Sequence, residues 1–78
     1  MTCREEILAA ASELARLSAD GEFTVGDIVQ YLQRRGSQYK ASTIRTHVVS
    51  RMCANAPDNH GTVYDDLVRT DHGTYRLA

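Results

Sequence analysis

The sequence predicts one small α+β domain, a three-helix bundle followed by a C-terminal β-hairpin. Three observations carry that expectation. Two capping signals each open a run of apolar residues at helical spacing, a dense cluster of turn formers closes a third helical run, and the pattern after Gly61 changes to alternation. At 78 residues the chain has room for a single core, so residues 1–78 form one domain. Its 42% hydrophobic and 24% charged content indicates neither disorder nor a fibrous repeat.

Thr2-Cys3-Arg4-Glu5 reads as a capping box, so the first helix starts at Cys3. Ile7, Leu8, Ala11, Leu14, Ala15 and Leu17 then form its apolar stripe, with Glu6, Glu13 and Arg16 facing water, and Asp20-Gly21 ends it. Glu22-Phe23-Thr24 is too short for an independent strand, but Phe23 can plug the core. Thr24-Val25-Gly26-Asp27 repeats the capping logic for a second helix with Val25, Ile28, Val29 and Leu32 inward. Arg34 and Arg35 suit the negative end of that helix, and Gly36 is its natural stop.

A third helix is expected from about Lys40 to Ala54, ended by the turn formers of Asn55-Ala56-Pro57-Asp58-Asn59-His60-Gly61. Leu67-Val68-Arg69-Thr70 and Thr74-Tyr75-Arg76-Leu77 alternate as strands around the tight turn Asp71-His72-Gly73. Tyr75 and Leu77 face one way, Thr74 and Arg76 the other.

The formal charge of −1 argues at first against a polyanionic partner. Along the chain, however, it separates into blocks. Residues 1–30 hold Arg4 and Arg16 against Glu5, Glu6, Glu13, Asp20, Glu22 and Asp27, a net of −4. From Tyr31 to Pro57 there are Arg34, Arg35, Lys40, Arg45 and Arg51 and no carboxylate, a net of +5, while residues 58–78 return to −2. A concentrated basic block attracts phosphate over a short screening length whatever the distant charges total.

Within residues 41–54 an ideal helix puts Ala41, Ile44, Val48 and Met52 on the buried side. The opposite face carries Thr43, Thr46, His47 and Ser50, flanked by Lys40 and Arg51 on one side and Ser42 and Arg45 on the other. Short groups that donate and accept hydrogen bonds, set between cations, suit the floor of a major groove. A polar face is also what any wet helix shows, yet Ser and Thr are mediocre helix formers, and the missing carboxylates are hard to square with a neutral surface. Arg45 and Arg51 either grip phosphate or pair with carboxylates of the first helix. Tyr39 divides between a lid on the core and a hydroxyl contact to phosphate. Asn55 and His60 are read as parts of a loop that turns the chain.

The stretches Thr24-Val25-Gly26-Asp27-Ile28-Val29-Gln30-Tyr31-Leu32, Ser42-Thr43-Ile44-Arg45-Thr46-His47-Val48 and Leu67 to Leu77, in this order of elements, resemble winged-helix proteins over nearly the whole chain. Gly73, Tyr75 and Leu77 match a glycine-tipped wing ending in Gly-x-Tyr-x-Leu. The resemblance implies a third helix in the major groove and a wing on the backbone or minor groove of double-stranded DNA. Carried over, Ser42, Thr43, Thr46, His47 and Ser50 face bases, and Arg69, His72 and Arg76 are the wing's contacts. Similar compact bacterial domains occur alone or appended to nucleases and include readers of methylated DNA. The resemblance thus also points to a sequence- or methylation-specific reader or transcriptional regulator, and to a homodimer or a nuclease-type partner. A family wing often has basic residues at its tip, where this chain has Asp71-His72-Gly73 preceded by Asp65-Asp66.

An enzyme is not expected. The sequence shows no phosphate loop, no metal-ligand spacing around His47, His60 and His72, and no nucleophile with a positioned base, and a three-helix domain offers little concave volume. No cofactor, metal or small-molecule substrate is expected. Cys3 and Cys53 read as two free thiols rather than a disulfide. Without an apolar span or a signal-peptide core, the expectation is a cytoplasmic protein, nucleoid-associated when bound to DNA. The rival reading is a protein-interaction or dimerisation module using the acidic first helix. It would expose large apolar anchors on the third helix, and none is read there. About five or six phosphate contacts are counted from the basic block and wing.

Overall fold

The computed structural model describes residues 2–54 and 64–78. Three helices and a three-stranded antiparallel sheet enclose one apolar core, so the α+β class and the order of elements agree with the sequence. Helix α1 spans Cys3–Leu17 and opens on the expected box: the Glu5 amide donates to Thr2 Oγ1 at 3.2 Å, and the Thr2 amide donates to Glu5 Oε1 at 2.9 Å. Cys3, Ile7, Ala10 and Ala11 are buried, whereas Leu17 is 69% exposed. The last turn therefore overhangs the core, and the apolar stripe is shorter than its sequence suggests. The helix also ends earlier than Asp20, with Ser18 as its cap. Asp20 instead shapes the turn that follows, accepting from Ser18 Oγ at 2.7 Å and from the Glu22 amide at 3.0 Å.

Strand β1, Glu22–Thr24, does not stand alone. It pairs with β3, Thr74–Leu77, which in turn pairs with β2, Leu67–Asp71, giving the order β1-β3-β2. Three residues suffice because a sheet edge supplies their partners. The register sets Phe23 opposite Tyr75 and Leu67 opposite Leu77 on the core side, with Glu22, Arg76 and Val68 aligned on the other face.

Helix α2, Val25–Arg34, begins with the second capping box, the Asp27 amide donating to Thr24 Oγ1 and the Thr24 amide to Asp27 Oδ2, each at 3.0 Å. Ile28, Val29 and Leu32 are buried and Val25 half-buried. At its end the Gly36 amide donates to the Gln33 carbonyl at 3.1 Å and the Ser37 amide to Leu32 at 3.0 Å. This is a Schellman stop, and Gly36 takes the required left-handed conformation at φ +75°.

The third helix departs from expectation. Helix α3 runs only from Ala41 to Thr46 and passes into a π-helical turn over His47–Arg51, closed by a 2.8 Å bond from the Met52 amide to the His47 carbonyl. It does not continue as α-helix to Ala54. The apolar spacing supplies the reason. Ile44, Val48 and Met52 recur every four residues, and in an α-helix each step of four advances about 40° round the axis. The looser winding of a π turn takes back that drift, and all three residues end fully buried. The turn-rich segment Asn55 to Gly61, with Thr62 and Val63, lies outside the described residues.

Backbone bonds join the π turn to the sheet. Tyr64 donates to Arg51 O, Asp66 and Leu67 to Met52 O, and Ala54 to Leu67 O. The other end of the hairpin rests on α2, where the Val25 amide donates to Gly73 O at 3.3 Å. Cys3 and Cys53 are buried, and no disulfide joins them. No helix among the described residues is long and apolar enough to cross a membrane.

Candidate nucleic-acid interface

Packing against α2 puts Ile44 and Val48 inward and turns the rest of α3 and the π turn outward. Lys40, Ser42, Arg45, Thr46, Ser50 and Arg51 are exposed, and Thr43 and His47 are half-buried. The structure thus brings all eight residues expected on this helix onto one short outward segment. Its lower half follows π rather than α winding, so Ser50 and Arg51 are rotated from the positions that a regular helix would give them. Turns of this kind inside helices are often found at functional sites.

The polar groups are already partly committed. Thr46 Oγ1 donates to the Ser42 carbonyl at 2.9 Å, and His47 Nδ1 lies 3.0 Å from the Thr43 carbonyl. A carbonyl only accepts, so Nδ1 carries the proton in that bond. Both side chains are therefore held by the preceding turn, with the hydroxyl lone pairs of Thr46 and Nε2 of His47 left outside it.

The cations of α1 differ from those around the third helix. Outside the basic block Arg4 pairs with Asp66, and Arg16 with Glu13. Inside it, Lys40, Arg45 and Arg51 have no ion-pair partner among the described residues. The alternative in which Arg45 or Arg51 pairs with a carboxylate of α1 is not what the structure contains. Arg35 lies 4.8 Å from the ring centre of Tyr31 as a cation–π contact.

The hairpin residues are not gathered in the same way. Arg69 and Arg76 lie on opposite faces of the sheet: Arg69 stands across from Tyr75 on the core side, and Arg76 stands between Glu22 and Val68 on the other. His72 is exposed at the tip, where its amide donates to Asp71 Oδ1 at 2.7 Å, and Gly73 has φ +75°. No single flat surface touches Arg69 and Arg76 together. Tyr39 is half-buried against the core. Asn55 and His60 lie outside the described residues.

The chain matches a family described as a domain of unknown function, DUF7669, over residues 2–77. It belongs to that family. The match takes in every element from α1 to β3, so the helical face and the hairpin both lie inside the DUF7669 domain. No curated protein and no solved structure matches the chain.

Two features escaped the sequence reading. Val49, to which the sequence assigned no face, is 41% exposed beside Ser50. The adjacent Val48-Val49 pair was its one signal, since a helix cannot bury both equally. A groove of about 470 Å³ also lies between α1 and the end of α2, lined by Glu6, Tyr31, Leu32, Arg35 and Ser37, against the expectation of little concave volume. Its carboxylate is in use: Ser37 Oγ donates to Glu6 Oε1 at 2.7 Å, tying the loop to α1. Among the described residues no cluster of His, Cys, Asp and Glu could hold a metal ion.

Proposed function

We propose that the protein is a winged-helix domain that binds double-stranded DNA, with α3 and the π turn in the major groove. The observation that carries this reading is the contrast between cations. Arg4 and Arg16 of the first acidic block are paired with carboxylates, whereas Lys40, Arg45 and Arg51 surround Thr46, His47 and Ser50 without ion-pair partners among the described residues. Unpaired cations around a short polar face suit phosphates on either side of a groove, and short side chains let the backbone approach the base edges. Val49 is small enough to meet a thymine methyl.

The interaction-module reading is less well supported. The α1 carboxylates are engaged within the chain, Glu5 with Thr2, Glu6 with Ser37 and Glu13 with Arg16. None of the three is without such a bond.

Binding of a fluorescein-labelled duplex followed by anisotropy across salt concentrations tests the proposal. With Lys40, Arg45 and Arg51 as the main phosphate contacts, log affinity falls against log salt with a slope of about −3. A flat salt response, or undiminished binding by the Thr46→Ala/His47→Ala double variant, would refute it.

A further inference from the structure

We infer that Thr46 and His47 recognise base amino groups, accepting hydrogen bonds from adenine N6 or cytosine N4 in the major groove. The inference rests on the DNA-binding reading and specifies its chemistry. Thr46 spends its hydroxyl proton on the Ser42 carbonyl at 2.9 Å, and His47 spends its Nδ1 proton on the Thr43 carbonyl at 3.0 Å. What a hydroxyl has left is lone pairs, and a neutral imidazole that donates through Nδ1 can only accept through Nε2. Two neighbouring side chains therefore offer acceptors and no donor.

That polarity selects its targets. Guanine O6 and N7 and thymine O4 are acceptors, and they would meet lone pairs with lone pairs. The exocyclic amines of adenine and cytosine are the donors of the major groove. The unpaired cations on the segment have long side chains suited to phosphate, which leaves the base edges to the short acceptors. The half-burial of His47 and its bond to the preceding turn fix the ring before DNA arrives, so little ordering cost remains at binding.

A consequence concerns methylated DNA. In a base pair one amino hydrogen is held by the opposite base and the other faces the groove, so a methyl group on the amine replaces the hydrogen that Thr46 or His47 would accept. A methyl at cytosine C5 leaves the amine intact. The domain is therefore blocked by N6-methyladenine or N4-methylcytosine and tolerant of 5-methylcytosine, the reverse of a pocket shaped to receive an amino methyl group.

The test uses the whole chain. Duplexes of about 30 base pairs are selected from a randomised pool and resynthesised unmodified, with N6-methyladenine and N4-methylcytosine, or with 5-methylcytosine. Their dissociation constants are compared by anisotropy. Amino methylation should weaken binding about fivefold or more, with 5-methylcytosine close to the unmodified duplex. The shape-preserving Thr46→Val/His47→Phe variant, checked for folding by circular dichroism, should bind more weakly and respond equally to all three duplexes. Parity or tighter binding on amino methylation, or the same loss in the variant as in the parent, overturns the inference while leaving DNA binding in place. Failure to bind any duplex removes the DNA-binding reading itself, and the inference with it.

Discussion

Arg4 grips Asp66 through two bonds, Nε to Oδ2 at 2.8 Å and Nη2 to Oδ1 at 2.9 Å, joining the first turn of α1 to a residue 62 positions later. The guanidinium also lies 4.0 Å from the ring centre of Tyr64. The amides of Tyr64 and Asp66 donate to Arg51 and Met52 at the end of the π turn. The pair therefore braces the point where the candidate interface passes into the sheet. Two-point arginine–carboxylate contacts fix geometry as well as charge. Arg4→Ala should lower the thermal midpoint by a few degrees and speed hydrogen exchange at the Asp66 and Leu67 amides, while Arg16→Ala, which removes only an exposed pair within one helix, should leave both nearly unchanged. Equal effects from the two variants would contradict this role.

Acid should weaken the fold through a small group of carboxylates. Bonds from Thr2 hold Glu5 below the ordinary carboxylate range, the Arg16 guanidinium does the same for Glu13, and the Ser18 hydroxyl followed by the Glu22 amide does so for Asp20. Each depressed pKa contributes stability that is present above the unfolded-state value and is lost as pH falls through the folded one. Urea midpoints should be level from neutrality to about pH 5 and decline below about pH 4. Asp20→Asn keeps an acceptor for both bonds and removes one titration, so its acid decline should be shallower than the parent's. An unchanged pH profile would exclude Asp20 from the effect.

Gly36 adopts φ +75°, and a Cβ placed there would meet nothing within 4 Å. Space is therefore not the constraint; backbone conformation is. Gly36→Ala should cost about 1 kcal/mol in chemical denaturation, and Gly36→Asn less, because Asn tolerates the left-handed region better. A neutral Ala variant would show that the helix stop does not need that conformation.

The pattern of what was legible follows from how local each cause is. Both capping boxes, the Gly36 stop and the turn at Gly73 depend on neighbours within a few residues, and their side chains announce them. The pairing of Glu22–Thr24 depends on a strand 50 residues away, with Thr24 opposite Thr74, which periodicity does not register. The π turn sits between these cases. Its cause, a spacing of four between Ile44, Val48 and Met52, was present in the sequence, but a fixed 100° step treats that spacing as a slightly drifting α-helix. The candidate face was legible as a set of residues for the same reason, since they are consecutive. That the hydroxyl of Thr46 and Nδ1 of His47 are turned back on the helix was not, because both bonds are made by rotamers. The split of Arg69 from Arg76 was not legible either: regular alternation from the Asp71–Thr74 pair would set Arg69 opposite Arg76, but a register shift between Arg69 and Asp71 sets it opposite Tyr75 instead.

Burial should also silence both thiols. Cys3 is 5% exposed and Cys53 1%, and burial, aided by Glu6, pushes the Cys3 thiol above its ordinary pKa. At Cys3 the nucleophilic thiolate is therefore scarce as well as shielded. Reaction with a chromogenic disulfide at pH 8 should be slow in the native protein and release two equivalents rapidly in denaturant. Fast native labelling of either thiol would show that the helix ends open readily.

The surface proposed to bind DNA is that of α3 and the π turn. Titrating an isotope-labelled sample with a selected duplex, and following amide shifts residue by residue, tests it most directly. The largest changes are expected at Thr43, Thr46, His47, Val49 and Ser50, with smaller ones at the exposed flanking cations and little along α1. Changes concentrated on α1 or in the groove beside Glu6 and Arg35, with the third helix undisturbed, would contradict it.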